Sequence, residues 1–420
     1  MKADVQDETV KPAAAKLRRL AVVRLLLVLG LMCCLFVPLL QQWTALLPEY
    51  PLGGVESPPA RVVLSFRSWH DGSYAGAFET RYNQSFGWRP MLIMLANQFR
   101  YEVFGQLPQR SGTQVSIGKY GWLYENAYLR HYSGRAQQPR ESDGVELLAD
   151  LTVVRQALAA RGIGFAIVVS PSKPLIYPEY LPDEITRPEA PALSYYDVLV
   201  PAMRQAGLPL FDAQLRFSEW KDSQETLLFA PGGTHWNYVG AFMALGAILD
   251  LWRGQLDVKV PQPQLKDVVR LTPRGTDDDL ARLLNLFRFG TAESRQVPFP
   301  VILPDTRGES RPLRVGIVGD SFGYTLVDAL SLARAASEIS FMYYARRKID
   351  YTSAMLATAD LQRHGSIAGT PVETTDFDWV GWLEGCDAVI FETNVIMLQS
   401  EFWGAAKTAA KAFRANGDEY

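Results

Sequence analysis

The chain has 420 residues, 42 of them basic and 45 acidic, and 48% are hydrophobic. The near balance of charge, without a basic stripe or a recognition motif, excludes nucleic acid as an expected partner, while the length suffices for one large or two modest cores. Cys33 and Cys34 sit in an apolar N-terminal segment and Cys386 stands alone, so neither a disulfide framework nor a metal site is expected, and no cofactor motif is present.

Residues Leu20 to Leu40 are almost wholly apolar, interrupted by Arg24, and Lys16, Arg18 and Arg19 crowd the N-terminal side. This asymmetry predicts a cytoplasmic N-terminus and an exported remainder. The uncharged core from Leu25 to Leu40 measures about 24 Å at 1.5 Å per residue and matches a bilayer only with Leu20 to Val23 added. A cleaved signal peptide is the competing reading. No small-x-small site follows Leu40, and Leu31-Met32-Cys33 lacks the small residue a lipoprotein signal needs, which favours an uncleaved anchor. The expected organisation is a cytoplasmic N-terminus (1–19), a transmembrane signal-anchor (20–41), a Pro/Gly-rich linker (42–62) and a globular domain (63–415).

Within that domain, Met91 to Phe104 reads as an amphipathic helix and Ile117 to Tyr124 as a hairpin with three aromatics. Helix Glu146–Arg161 precedes the buried strand Phe165–Ser170. Helix Ser194–Ala206, with Ser194 as N-cap and a kink expected at Pro201, precedes strand Leu208–Asp212. Tyr238 to Trp252 is an apolar helix. Residues 256–310 show weak periodicity and read as an irregular insertion. Strands then follow at Val315–Val318, Ser340–Tyr344 and Ala388–Phe391, with a helix after the first. Strands alternating with helices predict an α/β fold with a mostly parallel sheet covered on both faces.

The chemistry centres on Gly319-Asp320-Ser321-Phe322, where the strand meets the helix. A serine on that turn serves either as a helix cap or as a nucleophile lifted above the sheet, with backbone N–H groups beside it. A nucleophile needs a base, and the chain offers His70, His131, His235 and His364. His235 lies in the turn Pro231-Gly232-Gly233-Thr234-His235-Trp236-Asn237 before an apolar helix, where loops of an α/β sheet converge. The other three have bland surroundings.

Taken together, Gly319-Asp320-Ser321 and Thr234-His235-Trp236-Asn237 resemble the SGNH-hydrolase-like proteins of the alginate O-acetyltransferase (AlgX/AlgJ) family. Phe86-Gly87-Trp88-Arg89 resembles the family's fxxR segment, and Ile117 to Tyr124 its GkdGWLF element. Ser170-Pro171-Ser172-Lys173 with Ile176 to Pro182 resembles its PxKxxxYPEylP segment. The likeness covers roughly residues 60–400. It implies an SGNH-like sheet with permuted motif order, histidine before serine, and transfer of acetyl groups to an exported polysaccharide through an acetyl-serine. Ser321 would be the nucleophile and His235 the base. Gly319, Asp320 and Asn394 are candidates for oxyanion support, and Arg346, Arg347 and Trp236 for substrate contact. The implied partners are a membrane-bound O-acyltransferase (MBOAT-type) that supplies acetyl groups, a polysaccharide acceptor and the membrane.

One departure is large. The family motif is Asp-x-His, and here the acid's position is Gly233. Asp212, Asp320 and Glu392 are the replacements suggested by sequence position. A Ser–His dyad and a non-catalytic, glycan-binding scaffold are the alternatives, and an acetyl esterase is a further enzymatic reading. The tryptophans Trp122, Trp236, Trp379, Trp382 and Trp403 would serve a glycan binder as stacking platforms or, more simply, fill the core.

Overall fold

The computed structural model describes residues 7–46, 52–54, 63–108, 115–135, 138–139, 143–223, 226–290, 295–308, 310–358, 369–398 and 401–417. They fall into two compact units: residues up to Pro108 together with Arg282–Arg288, and the remainder.

The first unit is helical. Helix α1 (Asp7–Thr44) contains the apolar stretch Arg18–Thr44, whose 27 residues are long enough to cross a membrane. After it come α2 (Phe66–His70), α3 (Ser73–Ser85) and α4 (Arg89–Phe104). Ser65 starts α2 through a capping box with Ser68. Asn97, on the buried side of α4, donates to Leu284 O at 3.1 Å, and Gly53 N donates to Asn285 Oδ1 at 2.7 Å, which ties residues 282–288 into this unit.

The second unit is an α/β layer structure. It begins with the hairpin β1 (Val115–Ile117) and β2 (Leu123–Glu125), followed by α5 (Asn126–Tyr132) and α6 (Asp143–Ala160). Strand β3 (Gly164–Ser170) leads through the short α7 (Lys173–Ile176) to α8 (Tyr195–Gln205), β4 (Leu210–Asp212), α9 (Ala213–Ser223) and α10 (Tyr238–Arg253). Ser194 caps α8 as expected, and the helix runs through Pro201 unbroken.

Residues 256–310, read from sequence as irregular, contain an antiparallel pair, β5 (Gln264–Leu271) and β6 (Val297–Leu303), with α11 (Asp279–Leu283) between them. Strand β7 (Leu313–Gly319) and α12 (Phe322–Leu332) flank Ser321. The chain closes with β8 (Ala336–Tyr343), β9 (Arg347–Tyr351), α13 (Ser353–Ala357), β10 (Thr370–Pro371), α14 (Trp379–Glu384), β11 (Ala388–Asn394) and α15 (Glu401–Ala415).

The main sheet has the order β10-β9-β8-β7-β11-β3-β4. Its five strands from β8 to β4 pair in parallel, and β9 and β10 add an antiparallel edge. Side chains alternate across it. Ala166 and Val168 of β3 pack under α10 and α12, while Phe165, Ile167 and Val169 pack under α6, α8 and α15. Burial on both faces explains why these strands read as continuous apolar runs. Their carboxyl ends place Ser321, Asn394, Ser170 and Asp212 along one edge, where open α/β sheets bind ligands.

Candidate active site

Ser321 occupies the sharp turn between β7 and α12 and is half-buried. A dense network below the turn fixes it. Asp320 Oδ1 accepts from Phe322 N at 2.9 Å and its Oδ2 from Asn394 N at 2.7 Å, while Asp320 N donates to Glu392 Oε2 at 3.0 Å. Ser170 donates to Glu392 Oε1 at 2.5 Å. Burial, with the Asp320 carboxylate beside it, holds Glu392 well above the usual carboxyl range. The network satisfies groups that would otherwise be costly to bury.

The Tyr344 phenol lies near the Ser321 hydroxyl, and burial pushes its pKa up to about 12. Tyr344 and Ala345 both adopt left-handed backbone (φ 49° and 52°), and Tyr344 N donates to Gly319 O at 2.8 Å. Strained non-glycine residues of this kind concentrate at functional sites.

His235 arrives from the other side of the sheet edge. Trp236 pairs with Phe229 in an isolated bridge, and Asn237 caps α10 by accepting from Gly240 N at 2.9 Å, so the residue before them is held firmly. The imidazole packs on Phe322, the immediate neighbour of Ser321, with ring centroids 4.6 Å apart. Its Nδ1 is hydrogen-bonded to the Asp279 carboxylate. Its Nε2 is buried and has no partner among the described residues.

Asp279 Oδ1 accepts from Thr234 N at 2.9 Å and from Leu280 N at 2.7 Å, so this acid grips both the histidine turn and its own helix start. Burial alone would depress the imidazolium, but Asp279 outweighs it, with smaller help from Asp320 and Glu125, and the His235 pKa lies above its ordinary 6.5. Asp279 moves the opposite way. Burial opposes its charge, but His235 and the two N–H donors hold it below its ordinary 3.8.

The acid that the family motif carries two residues before the histidine is thus supplied from residues 276–279. Gly233 is the reason it fits: a Cβ there would lie 2.6 Å from Thr276 O and 2.9 Å from Asp277 O, inside the backbone of the very loop that carries Asp279. That loop is tied to Gly232 through Ala281 N at 3.0 Å and to α12 through Thr276 Oγ1 and Thr325 Oγ1 at 3.1 Å. A side chain at 233 and this placement of the loop that carries Asp279 exclude each other. In sequence the available signal was the run Asp277-Asp278-Asp279, embedded in a stretch without periodicity.

None of the three acids suggested by sequence position takes this role. Asp212 is bonded to Arg204, Tyr196 and Leu215 N. Asp320 and Glu392 belong to the network under the nucleophile turn. Asn394 is likewise not an oxyanion donor. It is fully buried, its Nδ2 donates to Ser170 O and Pro171 O, and its Oδ1 accepts from Ile396 N, so its amide is spent on the β11 turn. Trp236 does not face substrate either. It is buried between Phe217 and Phe322, with centroids at 5.6 Å and 5.5 Å, and its bulk fixes the turn. Trp122 and Trp379 are core residues, and Trp382 and Trp403 pack half-buried against the core.

Gly319 ends β7. Arg346 and Arg347 are exposed. Arg346 lines a cavity of about 360 Å³ with Tyr344, Glu373 and Thr374, while Arg347 opens β9. His70 is on the surface, and His131 lines a separate cavity with Arg187 and Tyr196. His364 lies outside the described residues.

Lys173, part of the expected PxK segment, organises the histidine turn from below. Its Nζ donates to Leu123 O (2.9 Å), Ala230 O (2.8 Å), Pro231 O (3.0 Å) and Gly233 O (2.7 Å), between the faces of Trp122 and Tyr124. Lys173→Met removes this donor from all four carbonyls, of which Ala230 O and Pro231 O keep the backbone N–H groups of Gly233 and Leu123, and is expected to cost about 1–3 kcal/mol of stability, measurable as a lower midpoint in urea unfolding. An unchanged midpoint would show that the cage contributes nothing.

Residues 115–343, just over half of the chain, match the model of the SGNH hydrolase-like domain of acetyltransferase AlgX. The chain belongs to this family. As an AlgX-family SGNH-like protein it shares 29% identity over 174 residues with the probable alginate O-acetylase AlgJ of Pseudomonas aeruginosa, covering 41% of this chain and 40% of the relative. It shares 26% over 182 residues with that of Pseudomonas syringae pv. tomato, covering 43% of each. The match therefore spans about two fifths of the length of these relatives. Among solved structures, the O-acetyltransferase domain of Pseudomonas putida AlgJ superposes with a TM-score of 0.41 at 17% identity, over 69% of this chain and 93% of that one. Pseudomonas aeruginosa AlgX gives 0.40 at 17% identity, over 71% and 67%. The family's SGNH-like fold agrees with the mostly parallel sheet flanked by helices, preceded by one apolar N-terminal helix.

Proposed function

We propose that this chain is a membrane-anchored O-acetyltransferase that modifies hydroxyls of an exported, alginate-like polysaccharide, with Ser321, His235 and Asp279 as its triad. The observation that carries this reading is the His235–Asp279 pair, whose free Nε2 is buried beside the turn that presents Ser321. Ser321 Oγ attacks the acetyl carbonyl and passes its proton to His235 Nε2. The Ser321 N–H supports the oxyanion, and collapse expels the donor's leaving group, which takes the proton back. His235 then removes a proton from the acceptor hydroxyl, whose oxygen attacks the acetyl-serine, and returns that proton to the Ser321 oxygen as the acetyl group leaves it.

His235 Nε2 makes no hydrogen bond to Ser321 in this structure, where it has no partner among the described residues. Hydrogen bonds of this kind often form only with substrate bound. Arg346, in the cavity beside Tyr344, is the proposed acceptor contact. The acetyl donor is a membrane-bound O-acyltransferase, and α1 holds the catalytic unit on the extracytoplasmic face of the inner membrane, its basic flank inside. The Asp279 carboxylate on His235 Nδ1 favours this reading over a non-catalytic scaffold.

The full-length protein incubated with a chromogenic acetyl ester and uronate oligosaccharides tests this reading. Ser321→Ala is expected to form no acyl-serine, and Ser321→Ala and His235→Ala are each expected to lower transfer by about 10⁵–10⁶-fold. Persistent acetylation by Ser321→Ala would overturn it, and release of free acetate with no acetylated sugar would make the protein an esterase.

A further inference from the structure

Helix α4 is built inside out for a protein surrounded by water. Leu92, Leu95, Phe99 and Val103 recur at i, i+3, i+7 and i+11, which places them on one helical face, and that face is exposed, Leu95 at 51%, Phe99 at 60% and Val103 at 56%. The polar Asn97 points inward instead, at 8% exposure. Helix α3 carries a second stripe. Tyr74, Phe78 and Tyr82, followed by Phe86, stack at i, i+4 spacing with centroids 6.1–6.3 Å apart, and none of the residues of α3 is buried. An apolar surface this continuous marks an interaction face.

The position of that face identifies what covers it. The turn joining α3 to α4 lies against the C-terminal turns of the apolar stretch of α1: Gly87 approaches so closely that a Cβ would meet Pro38 O at 2.1 Å and Gln42 N at 2.6 Å. Pro38 and Gln41 are buried there, while the residues of α1 from Leu20 to Leu29 are exposed. Residues 38–42 are the outer end of a helix that starts its apolar run at Arg18, so whatever packs on them lies at the outer headgroup level. Aromatic and aliphatic side chains interleaved with Arg81, Arg89 and Arg100 have the composition that partitions into that layer.

We infer that α3 and α4 form a platform that lies in the outer headgroup layer of the same bilayer that α1 crosses, with the Phe99 and Phe78 stripes immersed in lipid. The inference rests on α1 being an uncleaved span. The platform gives the chain a second hold on the membrane and fixes the tilt of α1's outer end.

Single cysteines carrying a nitroxide label, in full-length protein with Cys33, Cys34 and Cys386 changed to serine, test it in nanodiscs of phosphatidylethanolamine and phosphatidylglycerol. Labels at positions 78, 95, 99 and 103 are expected to favour lipid-soluble oxygen over a water-soluble nickel chelate by several-fold, relative to labels at Glu79 and Asn83 on the opposite face of α3. A label at Leu27 reports the span by itself. Oxygen preference at 27 with nickel preference at 95 and 99 overturns the platform and keeps the anchor, whereas nickel preference at 27 removes the anchor itself. Exclusion of both reagents at 95 and 99 means that protein, not lipid, covers the face, and also overturns the inference.

Discussion

Asp279→Asn is expected to lower acetyl transfer by about 10³–10⁴-fold while the protein stays folded, because an amide at that position still fills the space but holds the imidazole in the wrong tautomer. Steady-state transfer from an acetyl ester measures the loss, and urea unfolding checks the fold. The pH profile gives a second readout. His235 accepts a proton only when neutral, and its pKa lies above 6.5 because of Asp279, so the wild-type rate rises with pH through a midpoint above 6.5. Without the carboxylate, burial dominates and the midpoint falls.

Stability follows the same pair. The raised histidine contributes fully below 6.5 and loses its contribution as pH climbs through its folded pKa. The lowered Asp279 contributes above 3.8 and loses its part as pH falls through its own folded value. The stabilising window of the pair is therefore centred between those two ordinary values, and Asp279→Asn flattens the pH dependence there. A variant with wild-type rate and an unshifted profile would remove Asp279 from the triad.

Gly233→Asp, which restores the family's acid at its usual place, is expected to inactivate the protein rather than improve it. The new Cβ meets Thr276 O at 2.6 Å and the Asp277 carbonyl at 2.9 Å and 3.0 Å, and these are backbone atoms that cannot swing aside. The loop must move, taking Asp279 from Nδ1 and opening the bonds to Thr234 and Gly232. Overpacking of this kind costs about 1–3 kcal/mol, in addition to the catalytic loss. Gly233→Ala adds the same Cβ without a charge and separates the two effects. It should lose activity nearly as far as Asp279→Asn, and full activity in Gly233→Ala would show that the loop yields and that the glycine is not what admits Asp279.

Much of this architecture is legible in the sequence. The runs Phe165–Ser170 and Ala388–Phe391 announced buried parallel strands because burial on both faces demands continuous apolar residues. The turn at Ser321 and the turn at His235 each carried a local signature, since strand-to-helix corners and helix caps are written in a few consecutive residues. The short bonds from Lys173 to four carbonyls give the expected PxK segment its physical meaning.

What stayed hidden has a common cause. Asp279 lies 44 residues from His235 along the chain, in a segment with neither helical nor strand period, so no local rule connects the two. Asp212, Asp320 and Glu392 looked suitable because they end strands at the carboxyl edge, yet each is consumed by a nearer donor: Arg204 for the first, and the turn's own N–H groups and Ser170 for the others. Trp236 follows His235 and Asn394 ends β11, yet both side chains are buried in the core.

The sequence by itself determined the α/β architecture, the apolar N-terminal helix and the two turns that bear serine and histidine, because those follow from periodicity and short-range backbone chemistry. Only the tertiary structure decided which carboxylate meets the imidazole and why position 233 holds glycine, because both depend on one loop's backbone filling the space that a side chain would otherwise occupy.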